Sequence, residues 1–342
     1  MVTFMKKPAM LLFIVLFAAS GYAQDNVNIS GLIFGDYYVM LKNHDDSIEG
    51  ENAFWFRRIY LTFDKKLDNG FSANVKLDIR SAGDFTSSDK MIPFVKEAYL
   101  KWSHNNHEIL FGISRSPIGA DAEKFWGYRP VERTPLYLHR FNQSRDFGIA
   151  FKGVLGSNEI ISYHFMAGNG SGYYSETGKG KKISLALALH PASDYIIEGC
   201  IDINDRPLGK RRFTLLGLVC LNRAKYRTGA IFARQARRVG PNTDDNVLQI
   251  FSVFGAGELV EKVWGFARYD RNFDPNPEGA DIPYIPFDPR ASSHLIVAGL
   301  DLRLVKDISI IPNAEIVLYD KADNGVKPGS DIIPRLTVYF RY

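Results

Sequence analysis

The 342-residue chain gathers much of its positive charge into two stretches. The first carries Arg115, Lys124, Arg129, Arg133, Arg140 and Arg145, against Asp121, Glu123 and Glu132. A guanidinium stays charged and donates in a planar fork that suits carboxylate and phosphate oxygens. Set around a narrow space, where water is scarce and screening weak, these cations would attract anions. The same arginines could pair with the three acids and pin the segment in place, and the two roles are compatible. The second stretch holds Arg206, Lys210, Arg211, Arg212, Arg223, Lys225, Arg227, Arg234, Arg237 and Arg238, with no acid until Asp244. It reads as a basic collar that draws in anions, or as a rim touching anionic lipid head groups.

Other chemistry is weaker. His104-Asn105-Asn106-His107 has a metal-like spacing but falls in a tight turn with no third ligand near in sequence, so no metal is expected there. Asp270, Asn272, Asp274, Asn276 and Glu278 put an oxygen at every second residue. Pro275 stands where a calcium loop needs its glycine, and the distal glutamate spacing is missing. The seven histidines are scattered, and no local motif joins one to a serine or an acid. No cofactor and no nucleic acid partner is implied.

The elements that must position these charges are strands. Phe71, Ala73, Val75, Leu77 and Ile79 alternate with Ser72, Asn74, Lys76, Asp78 and Arg80, and Asn69-Gly70 before them is a hairpin turn. The chain ends on another alternating run: Leu336, Val338, Phe340 and Tyr342 on one face, Arg335, Thr337, Tyr339 and Arg341 on the other. A terminal strand with an open apolar edge invites aggregation, and closing a barrel removes the edge. Similar segments near 27–40, 53–65, 71–81, 93–103, 107–115, 144–153, 158–168, 181–190, 195–204, 211–221, 226–236, 246–256, 261–270, 291–304, 308–320 and 332–342 make sixteen strands. Short connections alternate with mostly longer ones, the layout of an outer-membrane barrel. The run 246–256 is nearly continuously apolar, and Pro312 interrupts 308–320.

Residues 1 to 23 read as a secretory signal, with Lys6 and Lys7 before a short apolar run and Gly21 and Ala23 at the cleavage site. The remainder, 24–342, reads as one domain. Formal charge is +4, and +2 without the two signal lysines, so bulk charge names no partner. A hairpin centred near residue 207 sets Cys200 opposite about residue 215, too far from Cys220 for a disulfide, so two free thiols are expected.

The longest connection, 116–143, is the third on the long-loop side. Pro117, Pro130 and Pro135 stiffen it, and Phe125, Trp126, Tyr128, Tyr137 and Phe141 can pack. It is expected to fold into the lumen, with Arg115, Lys124, Arg129, Arg133, Arg140 and Arg145 along the anion path. Alternation adds Arg58, Lys76, Arg80, Arg212, Arg234 and Arg268 as lumen residues. Acids such as Asp78, Glu97, Asp301 and Glu315 share those faces, so any anion preference should be mild.

Phe56-Arg57-Arg58, Val95-Lys96-Glu97-Ala98-Tyr99-Leu100, Phe111-Gly112-Ile113-Ser114-Arg115-Ser116-Pro117, Glu132-Arg133-Thr134-Pro135 and Ser144-Arg145-Asp146-Phe147-Gly148 resemble the phosphate-selective porin O and P family over roughly 53–150. The resemblance implies a sixteen-stranded, trimeric outer-membrane porin of a Gram-negative bacterium whose third loop forms the constriction. The family's basic path residues do not align onto this chain, so the likeness carries the porin class rather than phosphate selectivity. The expectation is a passive channel for small hydrophilic solutes with a mild preference for anions such as phosphate. Its partners would be the lipid bilayer, lipopolysaccharide and the barrel assembly machinery. A barrel enzyme of lipase or protease type, or a plugged receptor or adhesion barrel, is the alternative.

Overall fold

The computed structural model describes residues 27–80, 90–156, 158–176, 178–279 and 287–342. The expected signal at 1–23 lies outside them. Sixteen strands follow in chain order: β1 Val27–Val39, β2 Asn52–Lys66, β3 Phe71–Arg80, β4 Ile92–His104, β5 His107–Arg115, β6 Arg145–Leu155, β7 Ile161–Gly168 and β8 Lys182–Leu189. The second half has β9 Tyr195–Arg206, β10 Lys210–Arg223, β11 Tyr226–Arg238, β12 Asn246–Val260, β13 Val263–Asn272, β14 Ser293–Val305, β15 Ile308–Tyr319 and β16 Asp331–Arg341. Each pairs antiparallel with its neighbours in sequence, and β1 pairs with β16 to close a barrel.

The last residue extends this closing ladder. Tyr342 and Gly31 exchange backbone hydrogen bonds of 2.9 and 3.1 Å. A Cβ on Gly31 would fall within the Tyr342 ring, so glycine makes room for the terminal aromatic. In β16, Leu336 and Val338 face outward while Arg335 and Thr337 are buried inside. Between β2 and β3, Asn69 and Gly70 both take positive φ, 56° and 80°, as a tight turn between twisted strands demands.

Leu215, Val219, Phe232, Val253, Ile296, Leu300 and Leu318 are exposed on the outside of the barrel. So large an apolar girdle needs lipid, not water. The β14–β15 ladder skips Pro312, which has no N–H to give, yet β15 continues through it. The connection expected at 205–210 is shorter, residues 207–209 joining β9 and β10. Cys200 faces Leu216, and Cys220 faces Ile196, so the two buried thiols stay apart and free.

The interior departs from a uniformly wet lumen. The third long connection forms α1 (Ala120–Trp126) and α2 (Pro135–Leu138) and crosses the barrel. Ile118, Trp126, Val131, Leu136, Leu138 and Phe141 on it pack with Leu216, Leu218, Ile231, Ala233, Ile250, Phe254 and Phe266 on the wall. This explains why β12 is apolar on both faces: its outside meets lipid and its inside meets the loop. The part of the lumen that the loop fills is therefore packed with apolar side chains.

Candidate pore constriction

Donors on the wall fix the loop by taking its carbonyls. Arg57 donates to Pro130 and Val131, Arg268 to Arg133, and Arg237 to His139 and Arg140 at 3.2 Å each. Gln235 donates to Phe141 at 2.6 Å. The Arg268 guanidinium lies over the Trp126 ring, and Arg227 over Tyr128. A buried carbonyl without a donor is costly, so these contacts hold the loop's backbone in an otherwise apolar setting.

With the loop packed mainly against β10 to β13, open space remains on the side of β2 to β9. A cavity of about 380 Å³ there is lined by Arg58, Lys76, Lys96, Arg115, Lys124, Arg129, Arg133 and Arg145, with Asp78 and Glu123 as the acids. Arg115 and Lys124 also line a cavity of about 510 Å³ towards the short turns. Asn142 and Gln143 join the first cavity to one of about 290 Å³ among the long loops. The three spaces succeed one another from the loop end to the turn end.

Two β-bulges load this path. In the β1–β2 ladder Phe34 faces Arg58 and Gly35 faces Phe56, so Arg57 is the extra residue. In the β3–β4 ladder Lys76 faces Glu97 and Leu77 faces Val95, so Lys96 is the extra residue. A bulge lets two consecutive side chains share one face. Arg57 and Arg58 are both buried inside, as are Lys96 and Glu97.

The acids are outnumbered and shared. Asp78 lies 2.9 Å from Lys96 and 3.6 Å from Arg58. Glu97 lies 2.6 Å from Arg145 and 3.4 Å from Lys76. Glu123, on α1, lies 3.4 Å from Arg115 and 4.0 Å from Arg129. Burial pushes the Glu123 carboxyl up, but Arg145, Arg115 and Arg129 outweigh it and hold the group below its usual range. The acids pin these basic side chains without matching their number, and net positive charge remains.

Arg115, Lys124, Arg129, Arg133, Arg145, Arg58 and Lys76 all line this one cavity. Others do not. The Arg140 side chain is exposed, and its carbonyl is held by Arg212 and Arg237, away from this cavity. Arg212 lines the loop-end cavity and pairs with Glu278. Arg80 stands over Phe94 instead of in the path. Arg268 points inward but is only 2% exposed, paired with Asp270 at 2.8 Å. Arg234 faces outward, opposite Leu215, because the inner face of β11 is given to Ile231 and Ala233 beneath the loop. Alternation alone missed Lys96 and Arg57. The doublets Arg57-Arg58 and Lys96-Glu97 were the signal, since a regular strand cannot turn adjacent charges to one side.

Asp270, Asp274 and Glu278 are engaged by Arg268, the Gln249 N–H and Arg212, not gathered around one point. Among the described residues no group of three or more ligands could hold a metal. Ser162 Oγ lies 2.9 Å from His190 Nε2, but no acid is bonded to that imidazole among the described residues.

No protein-family model matches the chain, and no curated protein matches it. Solved structures do match. OmpF of Salmonella typhi, in complex with daunomycin, superposes with a TM-score of 0.68 at 13% identity, covering 93% of this chain and 98% of that one. The outer-membrane channel DcaP of Acinetobacter baumannii gives 0.66 at 14%, covering 93% and 97%. The anion-selective porin of Comamonas acidovorans gives 0.65 at 12%, covering 93% and 99%. The fold is that of the sixteen-stranded outer-membrane porins; nothing in these likenesses singles out the phosphate-selective family.

Proposed function

We propose that this protein is an outer-membrane diffusion channel for small hydrophilic solutes that favours anions, phosphate among them. The observation that carries the reading is the constriction, where eight basic side chains and two acids line one cavity of about 380 Å³. A solute entering from the loop end meets Arg58 and Lys96 on the wall and Arg129 and Arg133 on the loop. Fixed cations at low dielectric replace part of an anion's hydration and repel cations. No bond is made or broken, and no cofactor is needed. The reading includes export by the signal at 1–23, insertion by the barrel assembly machinery, and a homotrimer. The apolar outer girdle and the terminal aromatic strand support the membrane placement.

Reversal potentials in planar bilayers under a potassium chloride gradient test it. Anion preference is expected, and cation preference overturns it. An enzyme would turn over ester or peptide substrates, and a plugged receptor would stay silent in the bilayer.

A further inference from the structure

The connection from β7 to β8 carries two aromatic rings into the loop-end mouth of the lumen. Asp146, near the start of β6, accepts from the Gly170 N–H at 2.8 Å and the Gly172 N–H at 3.2 Å. Asn204 on β9 donates to the Gly170 carbonyl at 3.1 Å. Gly170 takes a φ of 81°, and a Cβ on it would run into the Asn204 side chain. These ties to β6 and β9 set the direction of the residues that follow, Tyr173 and Tyr174.

The two tyrosines continue a stack that begins on the wall. Phe94 stands on β4 opposite Asp78, and the Arg80 guanidinium lies over its ring, 5.1 Å from the centroid. The Phe94 and Tyr173 rings are 4.9 Å apart and tilted by 32°, and those of Tyr173 and Tyr174 are 4.9 Å apart and tilted by 33°. Rings gain by adding to such an offset stack. Arg80 covers the wall end of it. The other end is open, with Tyr174 59% exposed. Tyr173 borders the constriction, and Tyr174 borders the loop-end cavity of about 290 Å³.

That cavity surrounds the open ring with two kinds of polar group. Arg206 and Arg212 supply charge. Arg212 shares Glu278, whereas Arg206 has neither a hydrogen bond nor an ion pair among the described residues. Asp202 also lines the cavity, but Lys182 at 3.1 Å and the Ser184 hydroxyl engage it. Asn142, Gln143 and Asn204 supply amides. A flat ring with hydroxyls on its rim and a phosphate at one end would use all three features: the Tyr174 face, the amides and the guanidiniums. A bare arene would leave the amides unmatched, and inorganic phosphate would leave the ring unused.

We propose that Tyr174, with Arg206 and Arg212, forms an entry subsite for phosphorylated monosaccharides, which hand their phosphate on to Arg129 and Arg133 in the constriction. The proposal rests on the anion-channel reading above and names the class of solute that the channel takes.

The test uses the full-length channel in planar bilayers, with glucose 6-phosphate, glucose or inorganic phosphate added to both sides and interruptions of the potassium chloride current counted. Glucose 6-phosphate should interrupt the current at a concentration roughly fivefold lower than inorganic phosphate, and glucose should be the weakest of the three. Tyr174→Ser should erase that advantage, and Tyr174→Phe should keep it, because the ring remains. Arg206→Gln should weaken the block by glucose 6-phosphate several-fold. Equal block by glucose 6-phosphate and inorganic phosphate in an anion-selective wild type overturns the subsite and leaves the channel standing. So does a Tyr174→Ser variant that keeps the advantage. A wild type that prefers cations overturns the channel reading and the subsite with it. Tyr174 lies outside every strand ladder, so the serine variant should fold; if it does not, the three solutes compared on wild type decide alone.

Discussion

The Nζ of Lys96 lies 2.9 Å from Oδ2 of Asp78, across the β3–β4 ladder at the point where that ladder slips. Lys96 reaches the lumen only because the bulge turns it there, and it also donates to the Tyr60 hydroxyl at 2.6 Å. Asp78 in turn lies 3.6 Å from Arg58, next to the other bulge. One carboxylate thus orients two cations on adjacent stretches of wall and neutralises at most one of them.

This arrangement sets opposite expectations for its two ends. Lys96→Met should lower anion preference by a few-fold, on the order of 1 kcal/mol for one charge bordering a partly screened path. Asp78→Asn should raise it. Zero-current potentials of the two variants, measured in the same salt gradient, check both signs. Equal shifts in one direction would mean that the pair acts through loop position and not through charge.

The loop arginines divide as their placement does. Arg129 and Arg133 border the constriction, whereas Arg140 points elsewhere. Replacing Arg129 and Arg133 together with Gln should weaken anion preference several-fold, and Arg140→Gln should leave it near wild type. Arg237 is a separate case. It sits beneath His139 and Arg140 as a donor, so Arg237→Met should loosen the loop and make single-channel current noisier. Single-channel recordings beside reversal potentials tell loosening from charge loss.

Strand order and closure were legible because period-2 alternation survives wherever one face meets lipid and the other water, as in Phe71 to Arg80. The face of β11 was not legible. Ile231 and Ala233 are as apolar as Phe232, and only the loop lying across them decides which side is inside. That misplacement sent Arg234 to the lumen and hid Arg237. Arg268 illustrates a different limit: its direction follows from alternation, but its burial under Trp126 depends on residues far away in sequence.

Trp126 tests the apolar packing of the loop against the wall. Its ring packs edge-on against Phe254 and Phe266, and its Nε1 donates to the Glu132 carbonyl at 2.8 Å. Trp126→Ala removes the largest buried side chain of the loop and should cost the docked loop roughly 3–5 kcal/mol. The sixteen strands keep their own ladders, so the barrel should retain its folded mobility on unheated gels. Conductance should rise and protease should cut within 116–143. A variant that resists protease as wild type does would show that the wall contacts of Arg57, Arg237 and Arg268 hold the loop without the aromatic cluster.

The first long loop gives a pH dependence with a definite sign. His44 Nδ1 lies 2.9 Å from Asp331 Oδ1 at the start of β16, and the His44 N–H donates to the same oxygen at 2.7 Å. Tyr319 donates to the other Asp331 oxygen at 2.6 Å. Burial alone would lower the imidazole, but the hydrogen bond and charge of Asp331, with Asp288 and Asp45 nearby, raise it above its ordinary 6.5. The folded loop therefore binds the proton more tightly than the free chain does. Its stabilisation is fully present below about pH 6.5 and fades as pH rises through the higher folded value. Hydrogen exchange in residues 41–51 should accordingly be slow in mild acid and faster in mild alkali. His44→Asn should flatten that profile while leaving exchange in the strands as it was, and a profile that survives the substitution would assign the titration to another group.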